Sequence, residues 1–247
     1  MPPTPSDGAR IFVLSGAGLS AASGVPTFRD GDGLWEGHRF EDVATPQAWH
    51  HDPEMVRRFY DERRISCANV MPNPAHLALA RLQHWWGPNR VTLVTQNIDG
   101  LLTKAGAPEV IEMHGSIWHL RCEDDPDHPV VQVAGPQNRD QVCGLCGRPM
   151  RPNVVWFGEV PLHMDRIEPL LRQCDIFLSI GTSGVVYPAA GFTQVARAGG
   201  AHCIEINPRP TPGRFDEVLT EPAELAVPRI VGAWVGEEAT DEVPLDG

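Results

Sequence analysis

The sequence predicts an α/β protein with a Rossmann-like, doubly wound parallel sheet and a smaller inserted lobe. Four short apolar runs, which begin at Ile11, Val91, Asp175 and His202, have the continuous apolar character of strands buried on both faces. Helical patterns lie between some of these runs, as in βαβ units. Each run ends in small or polar residues, and ligands bind at the carboxyl ends of strands in such sheets. We therefore expect these ends to meet in one cleft.

Composition limits the class of protein. The 247 residues, with 42% hydrophobic and 21% charged side chains, are typical of an ordinary soluble enzyme and predict a single domain over residues 1–247. A formal net charge of −12 argues against non-specific nucleic-acid binding, which requires clustered Lys and Arg. No apolar run is long enough for a membrane span, and the first ten residues do not resemble a signal peptide. We therefore expect a cytoplasmic protein; a monomer is compatible with the sequence, which leaves the oligomeric state open.

Two inserts and a tail are predicted within this domain. Residues 37–88 read as a helical insert, in which Asp52 and the segment "NPAH" have the residue types that begin helices. Residues 115–152 show no comparable core pattern and carry three cysteines, so we expect a small module resembling a zinc ribbon. The acidic end, residues 236–247, is predicted to be disordered.

A glycine-rich turn follows the first apolar run. Gly16, Gly18 and Ala21 have the G-x-G-x-x-A spacing of a dinucleotide-binding turn, where the backbone approaches a pyrophosphate and the following helix N-terminus attracts it. Tight packing alone would explain the same small residues. A dehydrogenase site would carry an acidic residue at a strand end about twenty residues later. The window "GDGLWEGHRFED" has no strand before its acids, which disfavours hydride transfer.

Three segments in order are more specific than any one of them. These are "GAGLSAASGVPTFRDGDGLWE", "TQNIDGLLTKAG" and "EMHGS", and together they resemble the sirtuins, the NAD-dependent protein-lysine deacylases. The likeness continues through "RPNVVWFGEVP", "IGTSGVVYPAAGF" and "EINP", over about residues 15–208. It is most similar to the bacterial and mitochondrial branch that removes acidic acyl groups. The resemblance implies NAD as co-substrate, acylated lysines of proteins as substrates, and nicotinamide and O-acyl-ADP-ribose as products.

The resemblance assigns three catalytic residues. His114 matches the catalytic histidine, and its ordinary pKa of about 6.5 suits a base that removes a ribose proton near neutral pH. Asn97 and Asp99 match the nicotinamide pocket, where an amide and a carboxylate satisfy the donors and acceptor of a carboxamide. The alternative interpretation is that "QNID" ends a strand and begins a helix, and Asp99 could do both.

The resemblance also implies a larger set of cofactor contacts from the glycine turn, a covering loop and the strand ends. These residues are Gly16, Ala17, Gly18, Ala21, Phe28, Arg29, Trp35, Gln96, Asn97, Ile98, Asp99, Gly181, Thr182, Ser183, Asn207 and Ala223. Gln96 matches a ribose contact, Thr182 and Ser183 match contacts to phosphate or ribose oxygens, and Ala223 lines the expected adenine pocket.

The substrate is expected between "VVWFGE" and "GTSGVVYP". An extended peptide can pair its backbone with both segments, which gives affinity with little demand on sequence. By resemblance Val155, Phe157 and Gly158 bind the substrate, and a backbone carbonyl near Val155 accepts a hydrogen bond from the acylated lysine nitrogen. A buried apolar strand at "NVVWF" is compatible with this role.

One helical segment, "RFYDERR", predicts the acyl group. Tyr60 and Arg63 are neighbours on one helix face and match the Tyr-x-x-Arg pair that binds the terminal carboxylate of succinyl- or malonyl-lysine. Gly31 stands where this branch leaves space for a larger acyl chain. The alternative is a solvated helix face on which Asp61 and Arg64 pair across one turn.

The sequence contains only part of the zinc-ligand pattern of sirtuins. Sirtuins commonly hold a structural zinc with two C-x-x-C knuckles, and here Cys143 and Cys146 form one. Cys122 stands alone, with Asp125 at the expected partner position. Asp125, Asp127 or His128 could supply the fourth ligand that zinc needs, or the insert could fold without metal.

The sequence also shows two departures from the sirtuin pattern and is compatible with two other functions. Leu102 replaces a histidine common after "QNIDGL", and Ser15 replaces a threonine before the glycine turn, although neither touches a group assigned to the chemistry. A protein ADP-ribosyltransferase could use the same NAD site, and a non-catalytic NAD-sensing protein would need no base. The histidine, the amide–carboxylate pair and the acyl-lysine channel favour deacylation.

Overall fold

The computed structural model describes residues 2–26, 34–35, 38–211, 213 and 215–236. In these residues the strands are β1 (Ile11–Ser15), β2 (Leu34–Trp35), β3 (His38–Arg39), β4 (Val91–Thr95), β5 (Val110–Glu112), β6 (Gly115–Cys122), β7 (Val131–Gln132), β8 (Met150–Val154), β9 (Ile176–Ile180), β10 (His202–Ile206) and β11 (Glu217–Leu219). The α-helices are α1 (Phe40–Val43), α2 (Pro46–His51), α3 (Pro53–Ala68), α4 (Pro74–Trp86), α5 (Leu101–Lys104), α6 (Met164–Arg172), α7 (Phe192–Ala198) and α8 (Ala223–Val235).

The central sheet is parallel and has the order β11-β10-β9-β1-β4-β5. Numbered along the chain, these six strands read 6-5-4-1-2-3, which is the doubly wound Rossmann order. The predicted fold class is confirmed, and the four apolar runs are β1, β4, β9 and β10. The strand order reverses between β1 and β9, and ligands bind at such a switch point.

Each face of the sheet has its own apolar core, because successive side chains of a strand point to opposite faces. Ile11 and Val13 of β1 pack with residues of α4 and α8. Phe12 and Leu14 pack on the other face with residues of α6 and α7. The two layers of helices exclude water from both faces, which explains why these strands carry apolar side chains toward both faces.

The smaller lobe holds α1, α2, α3 and a separate antiparallel sheet of order β7-β6-β8. The helix starts predicted from sequence are observed: the Asp52 side chain accepts a hydrogen bond from the Met55 amide at 2.9 Å, and Asn73 begins α4 in the same way. The module with three cysteines, in which the sequence shows no clear core pattern, has a small core of its own, formed by Leu120, Cys122, Cys143 and Met150. The insert boundaries 37–88 and 115–152 stay predictions.

Of the predicted disordered tail, residues 237–247 lie outside the described residues. Across the part of the chain that is described, no helix has the length and apolar character required to span a bilayer.

Candidate active site

The glycine turn packs directly against the end of β9. The Gly18 amide donates to the Gly181 carbonyl at 2.9 Å, and a Cβ on Gly18 would lie 2.6 Å from the Gly181 Cα. Only glycine allows this approach of two backbones at the switch point of the sheet. Gly16, Ala17 and Ala21, also predicted to bind the cofactor, lie on the same turn.

The turn does not continue into an α-helix, as the dinucleotide-binding motif had suggested. Residues Ala17–Leu19 and Ala21–Ser23 form two successive 3₁₀ turns. The expectation of an α-helix N-terminus that attracts phosphate immediately after the glycines is therefore wrong. The buried Ser20 side chain lies between the two turns and bonds to His76 and Asp99, which are distant in sequence.

The ends of β9 and β10 meet beside this turn. The Asn207 side chain donates from Nδ2 to the Thr182 carbonyl at 2.8 Å, and both residues are buried. The Thr182 hydroxyl lies 3.0 Å from that of Ser179. Ser183 follows in the same loop, while Ala223 begins α8 within the core cluster. The structure thus brings Thr182 and Asn207 together.

A second polar group lies after β4. Asn97 Nδ2 donates to the Gly16 carbonyl at 3.0 Å and to Ser20 Oγ at 3.1 Å. Ser20 Oγ donates in turn to Asp99 Oδ2 at 2.7 Å, while Asp99 Oδ1 accepts from the Leu101 amide at 2.9 Å. Both Nδ2 hydrogens of Asn97 are engaged, so its Oδ1 is the atom that can accept from a ligand. Asp99 also begins α5, so the capping interpretation holds alongside the site.

The pKa of the Asp99 carboxyl is raised, chiefly because burial penalises its charged form. Hydrogen bonds from the Leu101 amide and from Ser20 oppose that rise, since they stabilise the carboxylate. The Asp99 carboxyl therefore accepts its hydrogen bonds from protein groups and does not need water for them.

Ser20 and His76 are site residues that sequence reasoning missed. His76 Nδ1 accepts from the Asn73 amide at 3.2 Å, so the neutral ring carries its proton on Nε2, which donates to Ser20 Oγ at 3.3 Å. Burial lowers the pKa of His76 to about 4, which keeps the ring neutral. Ser20 lies within the quoted glycine segment, but nothing local to "NPAH" points to a contact 56 residues away.

His114 lies between β5 and β6, and its imidazole contacts the Gln96 backbone. Its Nδ1 lies 3.1 Å from the Gln96 carbonyl, to which a neutral ring donates. This hydrogen bond leaves Nε2 as the basic nitrogen. Burial lowers the pKa of His114, so the ring is neutral at pH 7. Gly115 follows with a φ of +75°, and a Cβ there would lie 2.0 Å from the Asn153 carbonyl oxygen, so this position requires glycine.

The predicted substrate segment, from Val155 onward, is hydrogen-bonded to the connection between β5 and β6. The Val155 amide donates to the His114 carbonyl at 2.9 Å, and the Leu162 amide donates to the Met113 carbonyl at 2.9 Å. The Phe157 amide donates to the Ala44 carbonyl at 3.0 Å, which ties the segment to the helical part of the lobe. Val155 therefore lies directly beside the histidine.

Glu159 fixes the turn that contains Phe157 and Gly158, a role not anticipated from sequence. Its Oε2 accepts from the Trp156 amide at 2.8 Å and from Arg151 Nη2 at 2.7 Å. Gly158 adopts a φ of +92° within this turn. Charge-assisted hydrogen bonds of this kind hold a loop in one conformation.

Tyr60 of α3 reaches the same segment. Its side chain is fully buried, and its hydroxyl accepts a hydrogen bond from Trp156 Nε1 at 2.9 Å. Burial raises the pKa of the phenol, so it stays protonated. The Arg63 guanidinium carbon lies 4.2 Å from the centre of the Phe59 ring, a cation–π contact.

The alternative of a solvated helix face at Asp61 and Arg64 is wrong in one respect. The two residues do pair, with Arg64 Nη2 2.6 Å from Asp61 Oδ1, but both are buried and Arg64 is 0% exposed. The difference arises because the three-stranded sheet and its loop cover this face of α3.

The cysteine module assembles four possible metal ligands. Cys122, His128, Cys143 and Cys146 place one ligand atom each within 4.8 Å of one another. His128 Nδ1 lies 3.3 Å from Cys143 Sγ, and the Cys122 and Cys146 sulfurs are 3.5 Å apart. This spacing fits tetrahedral zinc, for which three thiolates and an imidazole are a common ligand set. Of the three candidates for the fourth ligand, His128 is the one in this group.

Asp125, at the position of the missing cysteine, lies behind the histidine instead. Its Oδ2 is 3.3 Å from His128 Nε2, so the carboxylate can hold the ring with Nδ1 toward the cysteines.

Several other residues predicted to bind the cofactor or the acyl group lie in or beside gaps of the described chain. Phe28, Arg29 and Gly31 lie outside the described residues. Trp35 belongs to β2, and the structure does not describe its side chain.

Ile98, also predicted to bind the cofactor, follows β4 between Asn97 and Asp99. The Ile98 carbonyl accepts from the Ile117 amide at 3.0 Å, which joins the pocket after β4 to β6.

The fold is that of dinucleotide-binding α/β proteins, with polar side chains collected at the switch point of the sheet. Comparison with protein families matches residues 16–188 to the Sir2 family, well over half of the chain. The chain belongs to the Sir2 family.

Relatives agree with this assignment. A protein of Escherichia coli strain K12 named "NAD-dependent protein deacylase" is 49% identical over 228 residues, which cover 90% of this chain and 81% of the relative. A Vibrio cholerae protein of the same name is 47% identical over 235 residues, covering 93% and 94%. Among solved structures, a Sir2 homolog–NAD complex has a TM-score of 0.83 and 36% identity, covering 94% of this chain and 92% of the other. A complex described as Sir2-p53 peptide-NAD+ has a TM-score of 0.74 and 26% identity, covering 91% and 92%.

Proposed function

We propose that this protein is an NAD-dependent protein-lysine deacylase that prefers acyl groups ending in a carboxylate, such as succinyl and malonyl, and also removes acetyl. Family membership and the names of the relatives support the general activity. The acyl preference is supported by one observation, the placement of Tyr60 and Arg63 on the helix that packs against the Trp156 segment.

The pocket after β4 fits the nicotinamide of NAD. Asn97 Oδ1 is available to accept from a carboxamide N–H, and Asp99 supplies a carboxylate from the same buried group. When bound, NAD supplies a ribose carbon from which nicotinamide can leave. Asn97, Asp99 and the Ser20 hydroxyl between them would hold the ring in one orientation, and the glycine turn with Thr182 and Asn207 would receive the rest of the dinucleotide.

His114 is the base in this proposal. Its Nδ1–H stays hydrogen-bonded to the Gln96 carbonyl, and its Nε2 would take the proton from a ribose hydroxyl. A lowered pKa favours this role, because the ring is neutral and ready to accept a proton at pH 7.

The substrate would lie along the segment that follows β8. The Val155 amide donates to the His114 carbonyl, and the Val155 carbonyl, in the next peptide unit, would accept a hydrogen bond from the acylated lysine N–H. The acyl chain then extends toward α3. There the Tyr60 phenol and the Arg63 guanidinium would bind a terminal carboxylate, a pairing favoured by charge and by the donors of both groups.

Arg63→Met tests the acyl preference. We expect kcat/KM for a succinyl-lysine peptide to fall by about a hundredfold or more, since the guanidinium contacts only a carboxylate-bearing acyl group. Deacetylation of the same peptide should change by less than about threefold. Arg58→Met is the matched control, because Arg58 is an exposed arginine on the same helix.

Equal loss of both activities in folded Arg63→Met protein would contradict the preference. Product masses provide a separate check on the reaction class, since deacylation yields O-acyl-ADP-ribose whereas ADP-ribosyl transfer leaves ADP-ribose on the protein.

We also propose a structural zinc held by Cys122, His128, Cys143 and Cys146. The fit rests on the donor set and on its spacing. Zinc in such a closed site contributes to folding rather than to the reaction.

A further inference from the structure

Arg64 joins α3 to the sheet and loop of the cysteine module. Its Nη2 donates to Asp61 Oδ1 at 2.6 Å, its Nε to the Gly135 carbonyl at 3.0 Å and its Nη1 to the Ile117 carbonyl at 2.8 Å. Gly135 lies in the loop after β7, and Ile117 lies in β6. One fully buried guanidinium thus bonds to a residue of its own helix and to two other segments.

Asp61 makes the complementary contacts. Its Oδ1 also accepts from the Gln137 amide at 2.8 Å, and its Oδ2 lies 3.0 Å from Arg139 Nη2. Arg139 is also 3.3 Å, through Nε, from Glu54 Oε2 at the start of α3. The loop from residues 135 to 139 is therefore attached to the helix at two levels.

This attachment resists rotation of the helix. Separating the two partners of a buried ion pair leaves buried charges without compensation, which is costly in free energy. The Asp61–Arg64 pair therefore keeps its geometry. Asp61 and Arg64 have the same spacing along α3 as Tyr60 and Arg63, displaced by one residue or about 100° around the helix axis. Contacts that fix the orientation of Asp61 and Arg64 therefore also fix the orientation of Tyr60 and Arg63.

We propose that Asp61 and Arg64 are positioning residues that set the acyl selectivity of the enzyme by fixing the rotation of α3. The inference rests on the proposed function, and it adds a role for residues that do not touch the acyl group. A rotation of about 20° moves an atom about 6 Å from the helix axis by about 2 Å. Such a shift separates a guanidinium from a carboxylate but leaves an acetyl group, which Arg63 does not contact, unaffected.

Asp61→Asn and Arg139→Gln test the proposal. We expect KM for a succinyl-lysine peptide to rise about tenfold in Asp61→Asn and by a smaller factor in Arg139→Gln. Values of kcat and KM for the acetylated form of the same peptide, and KM for NAD, should stay within about twofold of wild type. Glu62→Gln is the matched control, because it removes the same charge from an exposed position of the same helix.

Two results would overturn the proposal: an unchanged succinyl-to-acetyl ratio of kcat/KM in folded Asp61→Asn, or equal loss of both activities. Should Asp61→Asn fail to fold, Arg139→Gln decides, because its side chain is 42% exposed and its loss removes one of the two contacts that Asp61 makes with the loop; an unchanged succinyl-to-acetyl ratio there would equally overturn the proposal. Failure of the proposed function has a different signature, namely Arg63→Met with no effect on desuccinylation.

Discussion

One hydrogen bond and burial determine the acid–base behaviour of His114. The Gln96 carbonyl holds the Nδ1 proton, and burial disfavours the imidazolium, so the pKa lies below the ordinary 6.5. The neutral form, which is the proposed base, is lost only as the pH falls through this lowered pKa.

The pH dependence of the reaction should report this shift. We expect kcat/KM for an acetyl-lysine peptide to fall on the acid side with a midpoint below about pH 6.5, measured between about pH 5 and 8.5. His114→Ala should retain NAD binding and lose turnover. An acid limb centred above the ordinary histidine pKa would argue against His114 as the titrating base.

Glu112 is a half-buried carboxyl near the nicotinamide pocket for which the proposed reaction has no role. Burial and, secondly, the charge of Asp99 raise its pKa to about 7. Between about pH 4.5 and 7 the folded protein binds a proton there that the unfolded chain does not, so this group contributes stability at low pH that is lost as the pH rises through about 7.

Glu112→Gln should therefore stabilise the protein at about pH 8 more than at about pH 5. The gain in free energy of unfolding at the higher pH is roughly 3 kcal/mol at most, from the size of the shift. Urea unfolding at the two pH values measures it, with Glu62→Gln as the exposed control. A gain of equal size at both pH values would show that the titration of Glu112 is not its cause.

At the scale of elements, the turns after β1 and β9 form one interlocked unit. Gly18→Ala would place a methyl group 2.6 Å from the Gly181 Cα, so the backbones must separate. We expect a loss of about 1–3 kcal/mol of stability and at least roughly a tenfold rise in the Kd for NAD. Thermal unfolding and calorimetric titration would measure these.

Gly232→Ala is the control for that experiment. Gly232 lies within α8, and among the described residues no atom outside the helix backbone lies within 4 Å of the position that an alanine methyl group would occupy. Alanine there should stabilise the helix by up to about 1 kcal/mol. Unchanged NAD affinity in Gly18→Ala would show that the cofactor does not approach this turn.

At the scale of the whole molecule, the proposed zinc site would link the two ends of the cysteine module, residues 122–146. We expect about one zinc ion per chain by elemental analysis. Cys143→Ser should lose the metal and lower the Tm, because the ligand atoms gather residues from two ends of the module, whereas Cys67→Ser should retain it. A zinc content near zero in folded, active wild-type protein would contradict the assignment.

Sequence patterns predicted most of the large-scale fold and less of the site. Continuous apolar runs revealed β1, β4, β9 and β10, whereas β5 and β11 have only three residues each, too few for a periodic signal. The contact of His76 with Ser20 and the burial of Arg64 depend on segments far apart in the chain, which no local pattern reports. The choice of His128 over Asp125 as fourth ligand likewise depends on how a loop folds back.

The hydrogen bond between the Val155 amide and the His114 carbonyl has a consequence for motion within the molecule. Because it links His114, the proposed proton acceptor, to the segment after β8 along which a peptide would lie, both shift together if the smaller lobe moves. Opening and closing would then alter how much room the dinucleotide has, while the distance from imidazole to bound lysine stays nearly constant.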